Sequence, residues 1–285
     1  MVRAGRSPGS RPGAPAPADD AAVPEGDTLH RTASGLAPHL VGRTVTAARV
    51  RAGGPQVGRV IGAAITSVEA VGKNLLIRFD NGLELRTHLR MNGAWHRYRP
   101  GERWQRPAAR ARLVIEVPGA VAVCFDAPVI ELFETRAEAI HPTLARLGPD
   151  LLDPLWGPAH AAEARRRLVD PARAKTTVSA ALLDQRAVAG IGNIWRNETL
   201  FHERIDPWAL IGDLDDPTVD RLVATARGLL ERSVGSPSGR SPMWVYRRAG
   251  RPCRRCGTLV RSAPQDTGIP RTTFWCPSCQ SGTST

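Results

Sequence analysis

Few side chains in this 285-residue chain combine the type and spacing that covalent chemistry needs, and the first group is Val23-Pro24-Glu25-Gly26-Asp27. A proline at the start of a chain carries a free secondary amine, a nucleophile. The same proline inside a chain has a tertiary amide nitrogen without that reactivity. Glu25 adjoins it and can move protons for such an amine. The segment therefore makes chemical sense as a start. Residues 1–22 are mostly Gly, Pro, Ala, Ser and Arg, too poor in core formers to fold, and are expected to be a disordered extension. GTG encodes valine internally but can initiate translation with methionine. The mature protein is accordingly expected to begin at Pro24, after methionine removal.

A catalytic lysine has only two possible sites, Lys73 and Lys175, against 37 arginines. Arginine suits bidentate phosphate recognition but forms no imine at neutral pH. The formal charge is +12, of which residues 1–22 supply +1 (Arg3, Arg6 and Arg11 against Asp19 and Asp20), leaving +11 on the rest. With a pI near 10.9, this balance points to a polyanion partner, most simply nucleic acid. No window approaches the 18 or so uncharged apolar residues of a membrane span, and the tail has no apolar stretch of the signal-peptide kind. A cytoplasmic, nucleoid-associated protein without a membrane partner is expected.

The strongest metal signal is Cys253-x-x-Cys256 and Cys276-x-x-Cys279, separated by nineteen residues. This spacing reads as a four-thiolate zinc site on two knuckles joined by a hairpin. The alternative is a pair of disulfides, unexpected in a cytoplasmic chain. One Zn2+ with four thiolates has no open position for water, so its role is structural. Seven arginines, from Arg247 to Arg271, crowd this segment and suit a hairpin that reaches a DNA backbone. Cys124, in an apolar run, reads as a buried core thiol.

These groups must be positioned by recognisable elements. A helix is predicted from Asp27 to about Leu40, ended by Gly42. From Thr44 to about Phe133 apolar and polar residues alternate between glycine and proline breaks. Asp80-Asn81-Gly82 joins two strands, and several such hairpins imply an antiparallel sandwich. Beyond a linker over 141–158 the period becomes helical, at 160–168, 175–188, 194–203 and 216–234. The expected organisation is thus a disordered 1–22, a catalytic domain over 23–140, the linker, a helical domain over 159–245, and a zinc finger with tail over 246–285. In the helical half, Gly190-Ile191-Gly192-Asn193 precedes a helix. Its glycines let backbone N–H groups approach an anion, and Asn193 can cap the helix; a plain glycine turn between packed helices remains the alternative.

Taken together, these residues resemble the formamidopyrimidine-DNA glycosylase and endonuclease VIII family. The resemblance covers Val23 to Gln280: Pro-Glu-Gly at 24–26, Gly72-Lys73-Asn74-Leu75-Leu76, His88-Leu89-Arg90-Met91-Asn92-Gly93, the Leu-Asp-Gln to Gly-Ile-Gly-Asn segment, and the knuckles with Arg271 before Phe274-Trp275-Cys276. It implies an α+β multidomain fold, with an N-terminal helix plus antiparallel β-sandwich and a C-terminal helix-two-turn-helix domain carrying a zinc-finger β-hairpin. It also implies a monomeric base-excision repair enzyme, a DNA glycosylase and abasic-site lyase.

By the same resemblance, Pro24 attacks C1′ of a flipped nucleotide, Glu25 is the acid/base, and Lys73 assists base loss. Met91 sits on the loop that wedges into the duplex. Gly192 and Asn193 contact DNA, and Arg271 binds the phosphate and favours the second elimination. Asp126-Ala127-Pro128 lacks the arginine and phenylalanine of the purine-directed branch, and the Ser233–Cys253 stretch is too short for that branch's capping loop. Both departures favour the endonuclease VIII-like branch, acting on oxidised pyrimidines, and the partner that the resemblance implies is double-stranded DNA with oxidised-base lesions or abasic sites. The competing classes are a non-catalytic damaged-DNA-binding protein and a lyase without glycosylase activity.

Overall fold

A computed structural model describes residues 24–236, 242–265 and 271–281. The expected disordered extension over 1–22 lies outside the described residues, as does part of the stretch between Ser233 and Cys253. The chain opens with helix α1, Gly26–Leu40, whose Leu29, Ala33, Leu36 and Leu40 recur at helical spacing and are all buried. Gly42, with φ +75, takes the left-handed turn that ends it.

Eight strands follow: β1 Ala47–Val50, β2 Ile65–Val71, β3 Asn74–Phe79, β4 Leu83–His88, β5 Ala94–Tyr98, β6 Ala111–Val117, β7 Ala120–Phe125 and β8 Val129–Glu134. They form two four-stranded sheets, ordered β1-β6-β7-β5 and β2-β3-β4-β8, in which every pairing is antiparallel. Leu75, Ile77 and Leu85 of one sheet and Leu113, Ile115, Ala122 and Cys124 of the other share one core with α1. The sandwich and the hairpin at Asp80-Asn81-Gly82 are therefore as expected, and Cys124 is a core thiol.

The second half is helical: α2 Pro158–Leu168, α3 Val178–Ala181, α4 Asn193–His202 and α5 Asp216–Gly235, with a core that includes Leu168, Val178, Trp195, Leu222 and Leu230. One sequence expectation fails here. Residues 175–188 are not one helix, because only the single turn of α3 forms, capped by the Thr177 hydroxyl. Asp184 then turns the chain by accepting the Arg186 N–H on its side chain and the Ala187 N–H on its carbonyl, the local competition that carboxylates offer a helix.

Backbone groups beside that turn are paired by the segment expected to be a linker. Residues 141–158 do connect the halves, but as a packed strap: Leu151 is buried, Gly148 N donates to Gln185 O at 2.8 Å, and Ala189 N donates to Pro149 O at 2.9 Å. Asp150 of this strap accepts the Gly72 N–H at 2.7 Å, next to Lys73. The remaining strands, β9 Arg261–Gln265 and β10 Arg271–Trp275, form an antiparallel hairpin. Among the described residues no helix is long and apolar enough to cross a membrane.

Candidate active site

The two halves enclose a cleft of about 1390 Å³ whose walls include Pro24, Glu25, Lys73, Met91, Gly192, Asn193 and Arg271. Residues spread over nearly 250 positions of sequence thus meet at one cavity. Pro24 and Glu25 stand at the head of α1, and Lys73 occupies the two-residue turn between β2 and β3, where Val71 pairs with Asn74. Met91 lies in the turn after β4 and is 50% exposed, so it is not core filling. Arg271 opens β10, and its Nη1 lies 3.9 Å from Met91 Sδ, so the sandwich loop and the C-terminal hairpin meet across the cleft.

Glu25 is buried at 1% exposure, yet it does not cap its own helix. Its carboxylate accepts N–H groups from Gly192 at 3.1 Å, Ile194 at 2.7 Å and Trp195 at 3.3 Å, and so caps α4 of the other half. Two sequence expectations change accordingly. The anion at the glycine turn is this carboxylate, so the Gly192 N–H is committed inside the protein rather than to DNA. Asn193 is the first residue of α4 with Gly192 as its cap. Its side chain lines the cleft and donates to Thr272 O at 3.1 Å.

Electrostatics shift both the buried Glu25 and the partly buried Lys73. Burial raises the Glu25 carboxyl from 4.5 to about 7, against the opposing pulls of Lys73 and of the Ile194 and Trp195 N–H donors. Burial likewise lowers the Lys73 ammonium from 10.5 to about 8; Glu25 opposes that shift and the Arg271 charge adds to it. A carboxyl and an amine brought this close to neutrality can each give or take a proton near pH 7.

Sequence inspection missed two contributors. Arg196 is fully buried, and it bonds the side chains of Asn193, Ser179 and Gln265 and the carbonyl of Thr272. It thereby ties α4 to the C-terminal hairpin; its only sequence signal was its place three residues after Asn193. His88 lines the same cleft and is held neutral, its pKa lowered to about 4 by burial and by neighbouring Arg86, Lys73 and Arg90. The pairing of β3 with β4 places it beside Lys73; it opens one of the motifs of the resemblance, but no role follows for it there.

The four C-terminal cysteines converge. The sulfurs of Cys253, Cys256, Cys276 and Cys279 all lie within 4.8 Å of one another, with closest separations of 3.5 Å and 4.0 Å. A tetrahedral ion with metal–sulfur bonds of about 2.3 Å requires sulfur–sulfur edges of about 3.8 Å. A disulfide needs about 2.05 Å, so the alternative of two disulfides does not hold, and the thiols are free. The Arg255 N–H points at Cys253 Sγ at 3.4 Å, as suits a thiolate. The cluster fits one tetrahedral metal ion with no position left for water.

This geometry, Pro24, Glu25, Lys73 and Arg271 gathered at one basic cleft between a sandwich and a helical half, agrees with the comparisons with known proteins. Residues 23–128 match the formamidopyrimidine-DNA glycosylase N-terminal domain, and residues 147–241 match the formamidopyrimidine-DNA glycosylase H2TH domain. The chain belongs to the formamidopyrimidine-DNA glycosylase and endonuclease VIII family, a family of DNA glycosylases and abasic-site lyases. Among its relatives it is 39% identical to probable endonuclease 8 2 of Streptomyces coelicolor, covering 91% of this chain and 95% of that protein. It is 38% identical to the DNA-(apurinic or apyrimidinic site) lyase Nei2 of Mycolicibacterium smegmatis, covering 90% and 99%. The MutM (Fpg) protein of Thermus thermophilus superposes with a TM-score of 0.76 at 27% identity, covering 90% and 99%. A Lactococcus lactis Fpg non-covalently bound to DNA containing an abasic site has the same fold, with a TM-score of 0.76 at 20% identity, covering 90% and 99%.

Proposed function

We propose that this chain, when it begins at Pro24, is a bifunctional DNA glycosylase and abasic-site lyase that removes oxidised pyrimidines from double-stranded DNA. The observation that carries this reading is the convergence of Pro24, Glu25, Lys73 and Arg271 on one cleft built by both halves of the chain. A free α-amine has a pKa of about 7.7 to 8.0, so part of it is unprotonated at neutral pH; Lys73, lowered to about 8, is comparable in basicity, and it is the place of Pro24 beside Glu25 that favours it as nucleophile. The damaged nucleotide leaves the stack, with Met91 filling behind it. The Pro24 nitrogen attacks C1′ as the glycosidic bond breaks, and Lys73 assists departure of the base. Ring opening, with a proton delivered by Glu25, leaves an iminium.

A secondary amine gives an iminium with no N–H to lose, so the positive charge persists and acidifies C2′. Removal of the C2′ proton expels the 3′ phosphate. A second elimination expels the 5′ phosphate, held by Arg271, and leaves a one-nucleotide gap. Water then hydrolyses the iminium and frees Pro24. Zn2+ is the ion proposed for the cysteine cluster, where it would brace the hairpin that presents Arg271. Asp126 carries no recognition group for a purine: its carboxylate is occupied by Arg106 at 2.9 Å and Arg110 at 2.8 Å. Competition between duplexes bearing 5-hydroxyuracil or thymine glycol and duplexes bearing 8-oxoguanine paired with cytosine tests the substrate class. Faster pyrimidine excision is expected; faster 8-oxoguanine excision would overturn it, and cleavage of abasic sites alone would reduce the protein to a lyase.

A further inference from the structure

Three consecutive residues at the head of α1 reach the helical half, each through a different group. Glu25 does so through its carboxylate, and Gly26 through its N–H, which donates to Gly190 O at 2.9 Å. The third is Asp27, buried at 4% exposure. Its Oδ2 accepts from the Ser233 hydroxyl at 2.5 Å and from Arg31 Nη1 at 3.1 Å. The same Arg31 nitrogen donates back to Ser233 Oγ at 2.8 Å and to Ser233 O at 2.9 Å. Ser233 is fully buried in the last turn of α5. The ring of Asp27, Ser233 and Arg31 is closed and charge-assisted, with Asp27 and Ser233 buried and Arg31 partly exposed, and it joins two helices from opposite halves of the protein.

We propose that Asp27, Ser233 and Arg31 form a latch that positions the Pro24-Glu25 dipeptide against the helical half, making Asp27 and Ser233 positioning residues for the reaction. The inference rests on the proposed role of Pro24. The amine at the tip of α1 is three residues from Asp27, and the C1′ it attacks is held by groups from both halves. Any rotation of α1 about α5 therefore changes the distance between nucleophile and sugar directly. Near-attack geometry is sensitive to displacements of about 1 Å. The contact with α4 through Glu25 cannot fix this alone, because Glu25 must change protonation during the reaction, whereas the latch has no such duty.

Asp27 also acts on Glu25 through its charge, which favours the protonated carboxyl. The other charged or titratable groups that act on Glu25 are Lys73 from the β2–β3 turn, Arg196 on α4 and Tyr246 before the knuckles. Removing the Asp27 charge leaves those three in place, so its effect on the pH profile is separable from theirs.

The test uses the full chain starting at Pro24, metal-loaded, with a duplex containing one abasic site. Single-turnover borohydride trapping is measured at saturating DNA, below the melting transition, beside the dissociation constant for the same DNA. Ser233→Ala is expected to slow trapping about tenfold while the dissociation constant stays within about twofold. Asp27→Asn keeps the shape and one acceptor, and serves if Ser233→Ala does not fold; it is expected to slow trapping and to move the acidic limb of the pH profile down. Trapping within about twofold of the parent in these variants, or slowing matched by an equal loss of DNA affinity, would overturn the latch. A parent chain that itself gives no adduct would instead bring down the role of Pro24, and the latch with it.

Discussion

Replacing Gly192 with alanine puts a Cβ 2.3 Å from Glu25 Cδ and 2.5 Å from its Oε1, distances that real Cβ contacts essentially never show. Either the carboxyl swings off the end of α4 or the helix retreats, and both movements break the bonds from the Gly192, Ile194 and Trp195 N–H groups. A hydrogen bond to a charged group contributes about 1.5 to 3 kcal/mol net, and overpacking a tight site costs about 1 to 3 kcal/mol. Burial already opposes the Glu25 charge, so the low end applies: loss of the three bonds, plus the crowding, costs about 5.5 kcal/mol. For a protein of this size that corresponds to a melting temperature lower by roughly 8 °C or more. Thermal unfolding and borohydride trapping on an abasic-site duplex read the two consequences, the second slowed by about 100-fold as Glu25 leaves its place beside Pro24. Gly35→Ala on α1, where an added Cβ meets nothing within 4 Å, is the control and is expected to melt no lower than the parent. A Gly192→Ala protein that melts and traps like the parent would refute the cap.

Arg271→Ala is expected to weaken DNA binding by about 1.5 to 3 kcal/mol with an unchanged melting temperature, since it loses mainly a phosphate contact; unchanged binding and cleavage would remove Arg271 from the mechanism. Protein purified without chelator should carry one zinc per chain by elemental analysis, and Cys276→Ser should release it and cost more activity than Arg271→Ala; a metal-free preparation with full activity contradicts the site. For pH, the folded state holds the Glu25 proton more tightly than the unfolded chain, because burial raises that group to about 7. Its contribution to stability is therefore complete below pH 4.5 and lost as pH rises through about 7, by up to about 3 kcal/mol. Lys73 acts in reverse, its contribution being lost as pH falls through about 8. The unfolding midpoint of the parent should fall relative to that of Glu25→Gln as pH rises from 5 to about 7; a constant or rising difference contradicts it.

Local pattern carried the sandwich strands, α1 and the cysteine knuckles, because alternation, helical spacing and C-x-x-C pairs are each written within a few residues. The cleft walls also lay in short motifs, from Gly72-Lys73 to Arg271. What stayed hidden depends on distance. Glu25 caps a helix that begins 168 residues later, and a carboxylate next to a proline carries no mark of that partner. Asp27, Arg31 and Ser233 read as ordinary helix-surface residues until α1 and α5 are set side by side. The apolar spacing over 175–188 is real, but no helix forms there because Asp184 takes the Arg186 and Ala187 N–H groups and the strap over 141–158 donates to the Gln185 carbonyl. Asn193 sits where a cap belongs in sequence, yet the closeness of Glu25 to the backbone requires glycine, and Gly192 is that residue.

The role of Pro24 is tested most directly by blocking or freeing one nitrogen. Two proteins are compared by intact mass and by borohydride trapping on the same abasic-site duplex: the chain from Met1, in which Val23 acylates Pro24, and the chain with methionine in place of Val23 and nothing before it, which loses that methionine to expose the amine. Every side chain from Pro24 onward is shared, and both are expected to bind DNA through the +11 body. Only the form with a free Pro24 should give a covalent adduct. An equal adduct from a mass-verified Met1 form would contradict Pro24 as the nucleophile and transfer that role to Lys73.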